Sequence, residues 1–486
     1  MKRLCLVLFA ACAAPVYEAK PPAWVADTST FGSGSGSSAV AATATLADRY
    51  RPVAQKILAA TRGDRGAYDK LAQLTDTIGH RLAGEPSLDK AIAWAAETMK
   101  NDGLDSHTEK VMVPHWQRGA EDADIVGPIT RPMHIIGLGG TVATPKGGIT
   151  APIVVVHDFK ELEAKGDAVK GAIVVYNAAM PKWTEEHGSG YGEAVAYRFG
   201  GASAAAKHGA VAVLVRSVTA HSLRTPHTGA MGYADDAPKI PAAAVTVEDA
   251  ELLDRLAQRG STTVHLRVDD QVLPDVESAN VIGELRGREK PDEIVVIGGH
   301  IDSWDVGQGA HDDGAGCVTM MQALALIKKL GLAPRRTIRV VLFTNEENGL
   351  RGGKGYAQQH ASEMSKTVLA VESDSGGFSP VGFDTGAKDP EAAKHLRAHV
   401  TDIATLLRAI GVRKVGDGHG GSDIGPMEPL GVPQVGLDVD NRTYFDIHHT
   451  EADTLDKVDP AQLADDVAAV AVLAYIAADA PERLDQ

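Results

Sequence analysis

The sequence predicts an α/β fold in which a mostly parallel, twisted sheet is flanked by helices and carries an inserted β-rich lid module. In the C-terminal half, apolar runs rich in valine and isoleucine alternate with longer helical segments, which is the pattern of a parallel sheet covered on both faces. In the middle of the chain, short β-branched runs are separated by glycine and proline, which predicts a module with few long helices. The strand-like runs of the core are 280–284, 294–298, 338–343, 368–371 and 434–437, and the helical ones are 316–330, 350–360, 392–410 and 460–477.

These changes in residue pattern also set the predicted domain boundaries. The chain has 486 residues, which favours more than one domain. A tract rich in small and polar residues separates the N-terminus from the first helical pattern and is typical of a flexible linker. The predicted segments are a signal peptide at 1–19, a linker at 20–46, a core domain at 47–130 and 276–486, and the inserted lid at 131–275.

The N-terminus has the pattern of a secretory signal. Lys2 and Arg3 precede an apolar run from Leu4 to Ala14 that ends in small residues and is too short for a membrane span. We therefore expect a secreted or periplasmic protein without a membrane span. An alternative interpretation makes Cys12 the lipidated residue of a lipoprotein, which would anchor the chain to the outer membrane or cell surface.

Charge and cysteine content exclude two other classes of protein. The formal net charge of −16 argues against nucleic acid as a partner, because phosphate binding requires basic patches. Of the three cysteines, Cys5 and Cys12 lie in the signal stretch. Its removal leaves Cys317 without an intrachain disulfide partner, so the fold is expected to rely on its core and on bound metal.

Metal-binding residue types follow several of the predicted strands. His300 follows IVVIGG, Glu346 and Glu347 follow IRVVLFTN, and Asp374 follows VLAVES. Parallel sheets bind ligands beyond the carboxyl ends of their strands, so we expect these side chains to converge. A glycine-rich loop and a C-terminal segment add four more candidates: Asp312, Asp313, His448 and His449. This nitrogen and oxygen set suits zinc best, with manganese or cobalt as alternatives.

The number of candidates indicates a pair of metals. A single catalytic zinc needs three protein ligands, and this set exceeds that number. Two ions that share a bridging carboxylate would use the surplus. The adjacent Glu346 and Glu347 suit the same arrangement, because one can bind metal while the other accepts a proton from the attacking water.

The motif order resembles the co-catalytic di-zinc exopeptidase family, which includes bacterial zinc aminopeptidases, glutamate carboxypeptidase and carboxypeptidase Q. The HIDSWD, ESDSG and HHT runs are most similar to the carboxypeptidase Q group. In the insert, the KGAIVVY strand, the alanine-rich helix and the GAVAVLV strand resemble the protease-associated domain, which implies a lid without chemistry of its own. The motifs that carry the family resemblance are HID at 300–302, GAHDDGAG at 309–316, EENGLRGG at 346–353, ESDSG at 372–376, GSD at 421–423 and HTEAD at 449–453.

The resemblance implies a role for each of these residues. Asp312 would bridge the two zinc ions, Glu346 would be the general base and later the acid, and Asp302 would orient or tune the site. The Asp312–Asp313 peptide is expected to be cis. Two ions would be held by five ligands: His300 and Asp374 at one, Glu347 and His449 at the other, and Asp312 at both.

Other assignments stay open at this stage. Some relatives place a tyrosine directly before the last ligand histidine, whereas this chain has His448 there and Tyr444 four residues earlier, so either is a candidate for oxyanion stabilisation. The doubled histidine leaves His448 as the alternative ligand to His449. His419 in GDGHGGSD is a candidate substrate contact.

The expected activity is hydrolysis of dipeptides or short peptides, and the resemblance also suggests a homodimer. A carboxypeptidase that acts on free C-termini or N-acylated dipeptides is the alternative. A glutaminyl cyclase and an inactive binding homologue are the other interpretations, although all five ligands and the base are present.

Overall fold

The computed structural model describes residues 44–486, so the predicted signal peptide, Cys12 and most of the linker lie outside the described residues. In this part of the chain the strands form two eight-stranded sheets. In chain order they are β1 (Asp105–Gln117), β2 (Glu121–Gly127), β3 (Arg131–Met133), β4 (Ile135–Gly137), β5 (Ile149–Val156), β6 (Ile173–Tyr176), β7 (Ala212–Arg216), β8 (Ala242–Val245), β9 (Thr263–Val268), β10 (Gln271–Leu285), β11 (Lys290–His300), β12 (Arg336–Phe343), β13 (Thr367–Glu372), β14 (Pro380–Gly386), β15 (Lys414–Asp417) and β16 (Gln434–Val439).

Helices flank both sheets. Several helices begin at a side-chain cap. The carboxylates of Asp389 and Asp459, for example, each accept backbone N–H groups from the first turn of the helix that follows. The helices are α1 (Leu46–Thr61), α2 (Gly66–Thr77), α3 (Pro86–Asn101), α4 (Phe159–Lys165), α5 (Tyr191–Lys207), α6 (Val247–Ala257), α7 (Ala315–Lys329), α8 (Arg351–Gln359), α9 (Pro390–Ala404), α10 (Tyr444–Ile447) and α11 (Pro460–Asp479).

The first sheet forms the core domain and has the order β1-β10-β12-β11-β13-β16-β14-β15. Its centre, from β12 through β11 and β13 to β16, is parallel. Strand β11 shows why it is central: Val295 and Ile297 pack into the cluster beneath α7 and α11, whereas Ile294 and Val296 pack into the cluster beneath α8. Alternate side chains of a strand point to opposite faces, so an unbroken apolar run is buried on both. The predicted fold class is confirmed.

The second sheet is built from the inserted segment, with the order β3-β2-β9-β5-β6-β7-β8-β4. It begins at β2 and ends with β9, so it starts before the predicted boundary at residue 131 and ends before the one at 275. The shift arises because β2 is EDADIVG, in which charged residues alternate with Ala123 and Ile125 and no apolar run marks a strand. At the other end, the polar start of β10 pairs with β1 and belongs to the first sheet.

Helix α11 is the one helix in the described range with the length and hydropathy of a membrane span. Most of it is buried in the core, where it packs against α7, α1 and α2. A helix that lies between other helices and the sheet is surrounded by apolar groups. It is therefore apolar on all sides, as a membrane helix is. Its composition is therefore accounted for by the fold.

Candidate active site

The parallel centre of the first sheet brings the predicted metal ligands together at the carboxyl ends of its strands. His300 is the last residue of β11, and Asp374 lies two residues beyond β13, its neighbour in the sheet. His300 Nε2 lies 3.4 Å from Asp374 Oδ1 and 3.3 Å from Asp312 Oδ1. These three side chains can hold one metal ion.

A second group of ligands lies on the other side of Asp312. His449 Nε2 is 3.2 Å from Asp312 Oδ2 and 3.2 Å from Glu347 Oε2. The two carboxylate oxygens of Asp312 thus face different histidines. A carboxylate placed in this way is suited to bridge two cations, as in two-metal hydrolytic sites.

The buried polar atoms of the site fit bound cations. His300 Nε2, Asp312 Oδ2 and Glu347 Oε1 have no hydrogen-bond partner among the described residues, and all three side chains are buried. Unpartnered polar atoms in the interior cost free energy, and a set of carboxylates cannot satisfy one another. A zinc ion on each side of Asp312 would use all three atoms, and the imidazole and carboxylate donors are those that zinc prefers.

Burial and neighbouring charges shift the pKa values of the two carboxylates beside His449 in opposite directions. Burial opposes ionisation of Asp312, but the adjacent imidazoles of His300 and His449 hold the pKa of Asp312 well below its usual range. Burial raises the pKa of Glu347 to about 7, helped by the charge of Asp312. The protein therefore keeps Asp312 ionised, which a bridging ligand must be.

Backbone contacts set the orientation of the His300 ring. Its Nδ1 lies 3.1 Å from the backbone carbonyl of Asp302, so the N–H donates there and Nε2 is free to bind metal. The Asp302 carboxylate has a separate task, because it accepts the backbone N–H groups of Glu346 at 3.0 Å and Glu347 at 3.3 Å. Asp302 therefore orients the histidine through its carbonyl and the two glutamates through its side chain.

The loop that carries Asp312 is fixed in the same way by Asp453. This buried carboxylate accepts the backbone N–H groups of His311 at 2.8 Å and Asp312 at 3.1 Å. The neighbouring Asp313 accepts the N–H of His300 at 3.0 Å, which links the loop to the end of β11. The Asp312–Asp313 peptide is cis, as expected from the resemblance.

Arg81, which lies between α2 and α3, is fully buried behind this loop. Its Nε donates to the carbonyl of Ile301 at 2.8 Å, and its Nη atoms donate to those of Gln308 at 2.7 Å and Gly309 at 3.0 Å, with Gly79 as a further acceptor. One side chain thus ties the residue after His300 to the segment before Asp312.

We expect the substitution Arg81→Met to lower the free energy of unfolding by about 3 kcal/mol or more, because several buried carbonyls lose a charged donor at once. Thermal denaturation measured in excess chelator tests this without a contribution from metal binding. Arg397→Met, which alters an exposed side chain on α9, is the matched control. Equal melting temperatures for the two variants would refute the role of Arg81.

The structure separates the two adjacent histidines. His449 contacts both Asp312 and Glu347, whereas His448 Nε2 lies 3.6 Å from Asp312 Oδ2 alone. The His448 ring stacks on the His449 ring with centroids 3.5 Å apart, and the ring of Tyr444 lies 5.0 Å from that of His448. His448, His449 and Asp312 are close enough together to hold one ion, and the further contact of His449 with Glu347 favours His449 as the ligand, with His448 and Tyr444 in the wall beside it. His419, by contrast, is exposed and does not line this cavity.

The inserted module completes the site. The carbonyl of Thr228 lies 3.2 Å from His449 Nδ1, and the Thr228 N–H donates to the His449 carbonyl at 3.0 Å. His449 has a positive φ of 61°, a conformation that persists only where surrounding contacts hold it. The insert thus contacts His449 through the backbone of Thr228, and its expected role as a lid without chemistry of its own stays a prediction.

These groups surround a cavity of about 640 Å³. Glu346 lies in its wall, and burial together with the carboxylates of Asp374 and Glu347 raises the pKa of Glu346 well above its ordinary value. The insert supplies one side of the cavity, with Ser189, Tyr191, Arg198, Phe199, Ala230 and Met231. Both modules thus contribute walls to one cavity.

Comparison with known proteins gives the site its context. The model of peptidase family M28 matches residues 280–474. Carboxypeptidase Q of Mus musculus is 43% identical over 420 residues, which cover 86% of this chain and 87% of that protein. Carboxypeptidase Q of Xenopus laevis is 42% identical over 440 residues, covering 90% and 91% of the two chains.

Solved structures agree with this. The crystal structure of a peptidase M28 precursor from Shewanella amazonensis SB2B is 36% identical, with a TM-score of 0.85 over 90% of this chain and 98% of that one. A zinc aminopeptidase from Bacillus subtilis shares the fold at 21% identity, with a TM-score of 0.62 over 86% and 95%. The enzyme class predicted from the motif order is confirmed, and the chain belongs to peptidase family M28.

Proposed function

We propose that the chain is a two-zinc exopeptidase that hydrolyses dipeptides and short peptides, with Glu346 as its general base. The observation that carries this proposal is the placement of Asp312, whose two carboxylate oxygens face His300 on one side and His449 on the other. Each side then has three protein ligands, the number that a catalytic zinc requires. Asp374 completes the set at His300 and Glu347 completes the set at His449.

Bound zinc would supply polarisation of the scissile carbonyl and a lowered pKa of the attacking water. The chain's own residues handle the proton. Glu346 lines the cavity next to Glu347, but among the described residues His449 contacts only Glu347 of the pair, so the Glu346 carboxylate is available to take a proton from water. The same group then delivers that proton to the leaving amine nitrogen, which regenerates the base.

His448 is our candidate for stabilising the tetrahedral oxyanion. Burial keeps the pKa of His448 well below its usual range, so its ring is neutral and can donate one N–H without adding charge. Tyr444 packs against it in the cavity wall.

The double variant His448→Ala/Tyr444→Phe is expected to lose about 10²-fold or more in kcat while binding zinc normally. Steady-state kinetics and elemental analysis of the same preparation measure both quantities. An unchanged kcat would exclude both residues from oxyanion stabilisation.

The proposed activity itself is tested with free dipeptides and aminoacyl chromogenic amides, each assayed on zinc-loaded and on chelator-treated protein. We expect hydrolysis that disappears with the metal and returns when zinc is added. Failure of the zinc-loaded protein to cleave any member of either panel would contradict the proposal.

Localisation and assembly extend the proposal beyond the described residues. The pattern at residues 1–19 supports export to the periplasm or medium, with lipidation at Cys12 as the alternative. A homodimer is proposed from the family resemblance. Mass spectrometry of the mature N-terminus distinguishes a cleaved signal from a lipidated cysteine.

A further inference from the structure

The cavity contains a buried arginine that metal binding does not use. Arg198, on α5 of the insert, is 6% exposed and lines the cavity with the metal ligands. In the part of the chain that the structure describes, no carboxylate lies within ion-pairing distance of its guanidinium, and its Nε has no hydrogen-bond partner. Burial of a cation without a counter-charge costs free energy, so a buried unpaired arginine is typical of a site that binds an anion.

The guanidinium is held in place by neutral groups. One Nη atom donates to the Tyr191 hydroxyl at 2.7 Å and the other to the Thr228 carbonyl at 3.4 Å. At Gly229 any side chain would collide with the guanidinium, so the glycine provides the space that it occupies. These contacts orient the planar group but leave its charge unbalanced.

The position of Arg198 relative to the metal centre limits what it can bind. Its Nη1 lies 3.4 Å from His449 Nδ1, the nitrogen on the far side of the ring from Asp312 and Glu347. Because Nδ1–H of the metal-binding tautomer donates to Thr228, this is a close approach between two donors. About one imidazole ring separates the guanidinium from the ligand cluster, and one peptide residue spans roughly 3.5 Å. A group held by Arg198 would therefore lie one residue from the bond being cut.

A carboxylate is the group that satisfies these conditions. Apart from the exposed Lys354, the other charged side chains that line the cavity are the acidic ligands and Glu346, which would repel a substrate anion. An arginine binds a planar carboxylate with two parallel hydrogen bonds. We propose that Arg198 binds the free α-carboxylate of the residue that follows the scissile bond, so that the enzyme removes a single C-terminal residue and prefers free dipeptides. This inference rests on the proposed peptidase function.

A second cation in the cavity wall provides the matched comparison. Lys354 also lines the cavity, but it is exposed and its ammonium donates to the Gly349 carbonyl at 3.1 Å. Solvent already stabilises its charge, so a substrate carboxylate gains less there. If Arg198 binds the substrate carboxylate, Arg198→Met loses recognition of the substrate C-terminus. If Lys354 binds it, Lys354→Gln loses that recognition.

The test compares kcat/KM for a free dipeptide with kcat/KM for the same dipeptide as its C-terminal amide. We expect the zinc-loaded wild type to prefer the free acid. Arg198→Met should reduce kcat/KM for the acid by about 10- to 100-fold, mainly through KM, and reduce that for the amide much less. Tyr191→Phe, which removes one anchor of the guanidinium without touching His449, should give a smaller loss with the same selectivity. Zinc content is measured for each variant.

Several outcomes would overturn the assignment. Equal losses on acid and amide in Arg198→Met would show that Arg198 acts through His449 and not on the substrate. Loss of the preference in Lys354→Gln, with the preference intact in Arg198→Met, would move carboxylate recognition to Lys354. Equal rates of acid and amide hydrolysis by the wild type would refute the inference while leaving the peptidase function in place, whereas hydrolysis of neither would contradict that function itself.

Discussion

Glu346→Gln is expected to lose about 10²- to 10⁴-fold in kcat while retaining its full zinc content. Glutamine preserves the size of the side chain and its place in the cavity wall, but it cannot accept a proton from water. The ligand positions stay intact, because His449 contacts the side chain of Glu347 and not that of Glu346, and the backbone N–H of Glu346 still donates to Asp302 at 3.0 Å. Single-turnover kinetics on zinc-loaded protein measure the chemical step directly.

The matched control for this substitution is Glu391→Gln, which makes the same chemical change at an exposed position on α9. It should behave as the wild type in rate and zinc content. Full activity of Glu346→Gln with zinc bound would refute the assignment of the base. Loss of zinc in that variant would instead make Glu346 a ligand.

Asp312→Ala is expected to release both zinc ions and to reduce activity to that of the chelator-treated wild type. The substitution leaves His300 with Asp374 and His449 with Glu347, so each side is left with two protein ligands. Two ligands are fewer than the three that catalytic zinc sites use. Elemental analysis after dialysis measures the ion content of the variant.

Thermal denaturation gives an independent reading of the same substitution. A metal that binds only the folded state stabilises it, so chelator should lower the melting temperature of the wild type and leave that of Asp312→Ala unchanged. Asp292→Ala, at an exposed carboxylate on β11, should respond to chelator as the wild type does. Retention of one tightly bound zinc by Asp312→Ala would contradict its role as a bridge.

Much of the fold could be predicted because two features of the sequence identify its central strands. The central strands are unbroken apolar runs, and several are followed by a histidine or an acidic residue, which is rarely buried without a partner or a function. His300 at the end of β11 and Asp374 beyond β13 are of this kind, and the structure brings them within 3.4 Å of each other. Strands β14 and β15 were not predicted, because VGFD and KVGD carry glycine and charge in place of apolar runs.

The supporting contacts of the site could not be found in the same way. The roles of Arg81 and Thr228 depend on contacts between distant segments, at 220 residues from Ile301 and 221 from His449. Neither lies in a recognisable metal-binding motif. For Arg198, the signal in the sequence was an arginine within an otherwise small and apolar helix, and only the structure shows that this helix faces the metal ligands across the cavity.

The central claim is that one carboxylate bridges two metals, and zinc content per chain tests it most directly. The purified wild-type protein, loaded with zinc and dialysed, is predicted to hold two ions per chain by elemental analysis. His300→Ala and His449→Ala, each of which removes a ligand from a single side of Asp312, should each hold fewer. A wild-type chain that binds one zinc ion at saturation would contradict the account.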